Sequence, residues 1–180
     1  MSYDEYYVKS VIRTIPDWPE PGINFRDIAP IFQDPKAMKM VANAFVQRYI
    51  DMQPSRIACI DARGFLFGSI LAYELNLPLV LVRKKGKLPG ETLHQEYTLE
   101  YGTASVEMQA DSLVEGDRVV LIDDLIATGG TILAACTLIK KLGAEVIEAS
   151  ALIDLPDLGG STKIQDAGIP VYALLAFEGH

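Results

Sequence analysis

The chain has 180 residues, of which 49% are hydrophobic and 22% charged, which suits one folded domain with a sizeable core. Its formal charge is −8, which argues against nucleic acid as a partner and leaves room only for a local basic patch aimed at a small anion. No apolar run reaches spanning length, the opening Met1-Ser2-Tyr3-Asp4-Glu5 is not a signal sequence, and Cys59 and Cys136 both sit in apolar runs, so a cytoplasmic protein with reduced, buried thiols and no membrane partner is expected.

In chain order, Tyr3, Tyr7, Val8, Val11, Ile12 and Ile15 recur at helical spacing, predicting a helix over 3–15. The following Pro16-Asp17-Trp18-Pro19-Glu20-Pro21-Gly22-Ile23-Asn24-Phe25-Arg26-Asp27 excludes a helix and predicts a rigid loop, with Trp18 and Phe25 available to line an aromatic pocket or to anchor the amino-terminal segment. Asp34-Pro35 opens a helix over 35–50. Ile57–Ile60 reads as the first core strand, and Asp61-Ala62-Arg63-Gly64 turns into a helix over 64–75. Pro78–Val82 is the next strand and runs into Arg83-Lys84-Lys85-Gly86-Lys87. Such a cluster is commonly a solvated face, but in open α/β sheets ligands bind outside the carboxyl ends of strands.

The segment 86–105 breaks the strand–helix rhythm and predicts a hairpin or flap inserted between two core strands. After the turn at 113–117, a strand is expected from Val119, with further strands over 146–153 and 171–176 and a short helix near 161–167. Together these predict a doubly wound α/β fold: a five-stranded parallel sheet with flanking helices, an inserted flap hairpin and a small amino-terminal hood over 1–34, in one domain.

The stretch 119–131 carries the chemistry. Val119-Val120-Leu121-Ile122 suits a strand buried on both faces, followed by Asp123-Asp124-Leu125-Ile126-Ala127-Thr128-Gly129-Gly130-Thr131. Free N–H groups at a helix start, two glycines and two threonine hydroxyls form a phosphate site in outline. It is neither a Walker loop nor a dinucleotide fingerprint, since both glycine patterns are absent. Two acids beside a phosphate make sense if that phosphate hangs from a ribose whose hydroxyls they accept.

At these residues the chain resembles the phosphoribosyl pyrophosphate (PRPP) motif of type I phosphoribosyltransferases. Pro21–Ile28, Ala62–Gly68, Arg83–Gly90 and Leu99-Glu100-Tyr101-Gly102 extend the resemblance over nearly the full length, to the adenine-using branch of that family. The resemblance implies transfer of a phosphoribosyl group from PRPP to adenine, giving AMP and pyrophosphate with Mg2+ carried by PRPP. It places Ala127, Thr128, Gly129, Gly130 and Thr131 on the 5′-phosphate, and Asp123 and Asp124 on the ribose. Arg63, Arg83, Lys84 and Lys87 fall on the pyrophosphate, while Asn24, Phe25, Arg26 and Leu125 fall around adenine. Glu100 becomes the proton partner of the base and Arg63 a second catalytic residue, with Tyr101 beside Glu100 on the flap. A homodimer is also implied. Rival readings are an enzyme of the same family acting on a 6-oxopurine or orotate, a PRPP-sensing regulator without catalysis, and a structural domain with a vestigial loop.

Overall fold

The computed structural model describes residues 3–99 and 102–179. In chain order the elements are α1 (Glu5–Val11), β1 (Arg13–Ile15), β2 (Phe25–Asp27), α2 (Ala29–Gln33), α3 (Pro35–Tyr49), β3 (Arg56–Ile60), α4 (Gly64–Leu75), β4 (Leu79–Lys84), β5 (Thr92–Thr98), β6 (Thr103–Gln109), β7 (Arg118–Ile126), α5 (Gly130–Lys141), β8 (Glu145–Asp154), α6 (Gly160–Asp166) and β9 (Val171–Ala176).

The five expected core strands are β3, β4, β7, β8 and β9, and they pair in parallel. The flap hairpin does not stand apart from them. Its strand β6 pairs antiparallel with β4 and β5 pairs with β6, giving a mixed seven-stranded sheet in the order β5-β6-β4-β3-β7-β8-β9. Alternation along the buried strands feeds two cores. Ala58, Ile60, Val119 and Leu121 face α5 and α6, while Ile57, Cys59, Val120 and Ile122 face the side of α1, α3 and α4.

The amino-terminal segment departs from expectation. The helix ends at Val11, Ile12 is extended, and Arg13–Ile15 pairs antiparallel with Phe25–Asp27. Ile12 and Ile15 match the helical period, but these β-branched residues, with Thr14 between them, favour extended backbone once a partner strand exists. The hood is thus a two-stranded sheet closed by a pinned loop. Trp18 N–H donates to Ile23 O at 3.2 Å, Ile23 N–H to Glu20 O at 3.2 Å and Gly22 N–H to Asp17 Oδ1 at 2.8 Å. Asp34 caps α3 by accepting from Lys36 N–H and Ala37 N–H, and its other oxygen accepts from the Tyr7 hydroxyl at 2.6 Å, fixing α1 to α3.

Candidate active site

The carboxyl ends of β3, β4 and β7 meet in one cavity of about 240 Å3. Among its lining residues are Asp61, Arg63, Arg83, Lys84, Asp123, Asp124 and Thr131. A second hollow of about 80 Å3 adjoins it, lined by Asp123, Leu125 and every residue from Ala127 to Ile132. This is where the β7–α5 loop turns its backbone outward. Gly129 sits at φ +80°, a left-handed conformation that suits glycine, and α5 begins at the next residue. The first N–H groups of this twelve-residue helix therefore open toward the hollow with the positive end of its dipole.

The loop is held from behind by a glycine that sequence reading did not single out. Gly160 N–H donates to Ala127 O at 3.1 Å. A Cβ on Gly160 would collide with Ala127 O and stand 2.8 Å from Gly129 N. Gly64 does the same for the acids: a Cβ there would lie 2.9 Å from Ile122 O and 3.2 Å from Asp123 Cα. Both positions need the missing side chain for close backbone approach.

Asp124 is 7% exposed and pairs with Arg63, whose Nε lies 2.6 Å from Asp124 Oδ2. Asp124 N–H donates to Asp123 Oδ1 at 2.8 Å. Desolvation, followed by repulsion from the neighbouring Asp124, pushes the Asp123 carboxyl well above the usual carboxylate range, against opposing help from that N–H and from Arg63.

The second wall is basic. Arg83 Nε reaches Asp61 Oδ2 at 2.9 Å, and Arg83 Nη1 donates to Lys87 O at 3.3 Å. Lys84 is exposed and lines the cavity, whereas Lys87 stands beyond it on the turn. Asp61, which shares the turn with Arg63, was missed as a site residue because its role depends on a strand 22 residues away.

The hood supplies an aromatic edge. Phe25 packs edge-on to Trp18 with centroids 4.4 Å apart, and the Arg63 guanidinium lies 5.6 Å from the Phe25 ring. Leu125 lines both hollows. Asn24 is half-buried beside Phe25 and, like Phe25, is not among the residues lining either hollow. Arg26 turns away from the cavity: Nη1 donates to Thr14 Oγ1 at 2.6 Å, Nη2 to Gly179 O at 2.7 Å, and the guanidinium stacks on Phe177. Its Nε is buried without a partner among the described residues. Tyr97 of β5 lines the cavity, and its Cδ2 would lie 3.2 Å from a Cβ at Gly130, so the hairpin rests on the phosphate loop. Glu100 and Tyr101 lie outside the described residues.

No group of three or more His, Cys, Asp or Glu residues forms a metal cage among the described residues. Magnesium in phosphate-transfer sites is held by one or two carboxylates together with substrate phosphates, so a cage of three is not required. Asp61, Asp123 and Asp124 would be its acidic neighbours, and the donor set fits an ion brought in by substrate.

Residues 29–166 match the model of the phosphoribosyl transferase domain. The adenine phosphoribosyltransferase of Marinomonas sp. (strain MWYL1) is 60% identical over 179 residues, covering 99% of each chain. The crystal structure of adenine phosphoribosyltransferase from Thermoanaerobacter pseudethanolicus aligns with a TM-score of 0.92 at 44% identity, over 97% of this chain and 100% of that one. The enzyme from Trypanosoma brucei, solved with AMP, pyrophosphate and ribose-5-phosphate, aligns with a TM-score of 0.88 at 32% identity, over 96% of this chain and 79% of that one.

Proposed function

Because the chain belongs to the adenine phosphoribosyltransferases of the type I family, forming AMP from adenine and PRPP in purine salvage, we propose a role for each wall of its cavity. The observation that carries the proposal is the meeting of an acid pair, a helix-start phosphate loop and a basic wall around one space.

Thr128, Thr131 and the N–H groups of Ala127 to Thr131 hold the 5′-phosphate, and Asp123 and Asp124 accept the ribose hydroxyls. Arg63, Arg83, Lys84 and Lys87 face the diphosphate. Adenine lies between Leu125 and the hood, which offers Asn24, the Phe25 ring and the backbone of Arg26, whose guanidinium is engaged by Thr14 and Gly179. Its N9 forms the new bond to the ribose anomeric carbon as the bond from that carbon to the diphosphate oxygen breaks. The sugar carbon gains positive charge, which the two carboxylates favour, and the leaving diphosphate gains negative charge, which the basic wall favours. Mg2+ bound on the diphosphate supplies further neutralisation of the leaving group. Glu100 takes the proton that adenine sheds, and the flap over 86–105, with Tyr101, closes above the reaction and excludes water.

The working form is a cytoplasmic homodimer. Leu79 and Leu81, each 37% exposed on β4, and Leu66 and the 83% exposed Tyr73 on α4 support this, since α4 and β4 lie together: Leu79 Cδ1 would be 3.6 Å from a Cβ at Gly68. The free, buried thiols suit a reducing compartment. No helix among the described residues is long and apolar enough to cross a membrane.

Steady-state kinetics of Asp123→Asn and Asp124→Asn test the ribose assignment. Each change keeps shape and removes a charged acceptor, so a loss of about 1.5–3 kcal/mol in PRPP binding or transition-state stabilisation is expected. Wild-type kinetics in both variants would remove the acids from the sugar.

A further inference from the structure

We infer that Glu107, on the second strand of the flap hairpin, is a positioning residue that shapes the Lys84–Gly90 turn for the diphosphate. The inference rests on the reading of that turn as the diphosphate wall. Glu107 is 3% exposed, a rare place for a carboxylate in a chain with 24 acidic residues. Its Oε1 accepts Lys87 N–H at 2.9 Å and Leu88 N–H at 2.7 Å. On the sheet it is the direct cross-strand partner of Arg83. Arg83 closes the same turn from the other side through Nη1 to Lys87 O, while its Nε holds Asp61. Lys85 N–H donates to Ser105 O at 3.0 Å.

At the far end of the turn Gln109 Nε2 donates to Pro89 O at 3.1 Å, but at Lys87 and Leu88 the backbone N–H groups depend on Glu107. Lys84, Lys85, Gly86, Lys87, Pro89 and Gly90 are all exposed, and Gly86 and Gly90 both take positive φ. A run this basic would spread under its own repulsion, and free glycines would let it. Hydrogen bonds donated by Lys87 N–H and Leu88 N–H to a buried carboxylate fix the backbone where the charges are carried. Burial alone would raise the Glu107 carboxyl, but the N–H groups of Gly86, Leu88 and Lys87 and the Thr92 hydroxyl reverse this and hold it below the usual glutamate range. Its Oε1 lone pairs are thereby turned to the backbone of the turn, away from the diphosphate wall. A diphosphate gains from donors set in place before it arrives, since little reorganisation remains on binding. Because Glu107 belongs to the hairpin, the flap and the basic wall share one anchor.

The test compares Glu107→Met, which keeps bulk and removes the acceptor, with Glu107→Gln, whose amide oxygen accepts the same two N–H groups. Dissociation constants for pyrophosphate, PRPP and AMP are measured by titration, with KM for PRPP and adenine alongside. Glu107→Met should weaken pyrophosphate and PRPP roughly tenfold, the size of one lost hydrogen-bonding arrangement, and should raise KM for PRPP but not for adenine. AMP, which leaves the diphosphate wall empty, should keep its affinity, and Glu107→Gln should recover most of the loss. Equal weakening of AMP, no weakening of pyrophosphate, or a glutamine variant no better than the methionine one would overturn the inference. A Lys84→Ala/Lys87→Ala double variant separates the premise: if it keeps full pyrophosphate affinity, the reading of the turn fails first. If it loses affinity while Glu107→Met does not, the inference fails alone. Should Glu107→Met not fold, amide hydrogen exchange in the wild-type protein decides. The Lys87 and Leu88 amides should be protected without ligand, and exchange at open-chain rates would overturn the inference.

Discussion

Gly160→Ala is the sharpest probe of the phosphate loop, because it adds one methyl group behind the loop and touches no ligand. Gly160 is in the first turn of α6 and is not among the glycines at positive φ, so alanine suits its backbone and would by itself favour the helix by about 0.5–1 kcal/mol. Packing opposes this. The new Cβ would collide with Ala127 O and lie 2.8 Å from Gly129 N, where ordinary contact begins near 3.4 Å; the Ala127 contact is the tighter of the two, so the loop must retreat by about 1 Å. Overpacking of that kind costs about 1–3 kcal/mol, leaving a net destabilisation of about 0–2.5 kcal/mol. The functional loss should be larger than the stability loss suggests. A shift of this size moves the N–H groups of Gly129 and Gly130 away from the 5′-phosphate position, and misplacement on the order of 1 Å costs up to about a hundredfold. Titration should therefore show PRPP and AMP, which both carry the 5′-phosphate, weakened by roughly 10–100-fold. Pyrophosphate, which the proposal assigns to the opposite wall, should be unaffected. Unchanged affinity for PRPP and AMP, or equal weakening of all three, would refute the reasoning.

Asp123→Asn should raise thermal stability near neutral pH while lowering activity. The folded carboxyl has a raised pKa, so between the ordinary value and the folded one the folded state holds a proton that the unfolded chain releases, and above the folded value it carries its charge at a cost. Wild-type stability therefore falls as pH rises above the ordinary aspartate value of about 3.9 and stays lowered above the folded value. Melting curves should show the variant ahead at neutral pH and the two proteins converging in acid; a variant less stable at every pH would contradict the strained acid pair. Glu100→Ala should lower turnover by roughly 10²–10⁴ while PRPP affinity holds, with Glu100→Gln between the two. Loss of PRPP binding in place of turnover would make Glu100 a lid contact.

Much of this site could be read from the chain because its parts are local. The unbroken apolar run before Asp123 marks a strand buried on both faces, and the residues from Ala127 to Thr131 lie within one turn of α5. The basic wall was legible because Arg83 and Lys84 end β4 in an acidic chain. What escaped depends on contacts between distant segments. Gly160 reads as part of a linker until α6 is seen behind Ala127, 33 residues earlier. Asp61 looks like a turn aspartate and Glu107 like a solvated strand residue, and each acquires its role only when β4 aligns beside β3 and β6. The hood sheet was hidden because Ile12 and Ile15 fit a helical period, and the pairing of Arg13–Ile15 with Phe25–Asp27 won. Arg26 was expected near the base, yet its Nη groups are spent on Thr14 and the carboxyl-terminal segment, leaving Nε as the donor without a partner.

Initial rates with adenine, hypoxanthine and guanine at saturating PRPP and Mg2+ test the central claim most directly. The loop 17–23 is pinned by its own backbone bonds, which would fix in kind the base partners proposed next to it at Asn24 and Phe25. Adenine presents a donor at its 6-amino group and an acceptor at N1, and a 6-oxopurine reverses both. Two buried polar groups left unpaired are worth about 10²–10⁴ in specificity. The account predicts AMP and pyrophosphate in equal amounts from adenine, with both 6-oxopurines slower by that factor; comparable rates with hypoxanthine would contradict it.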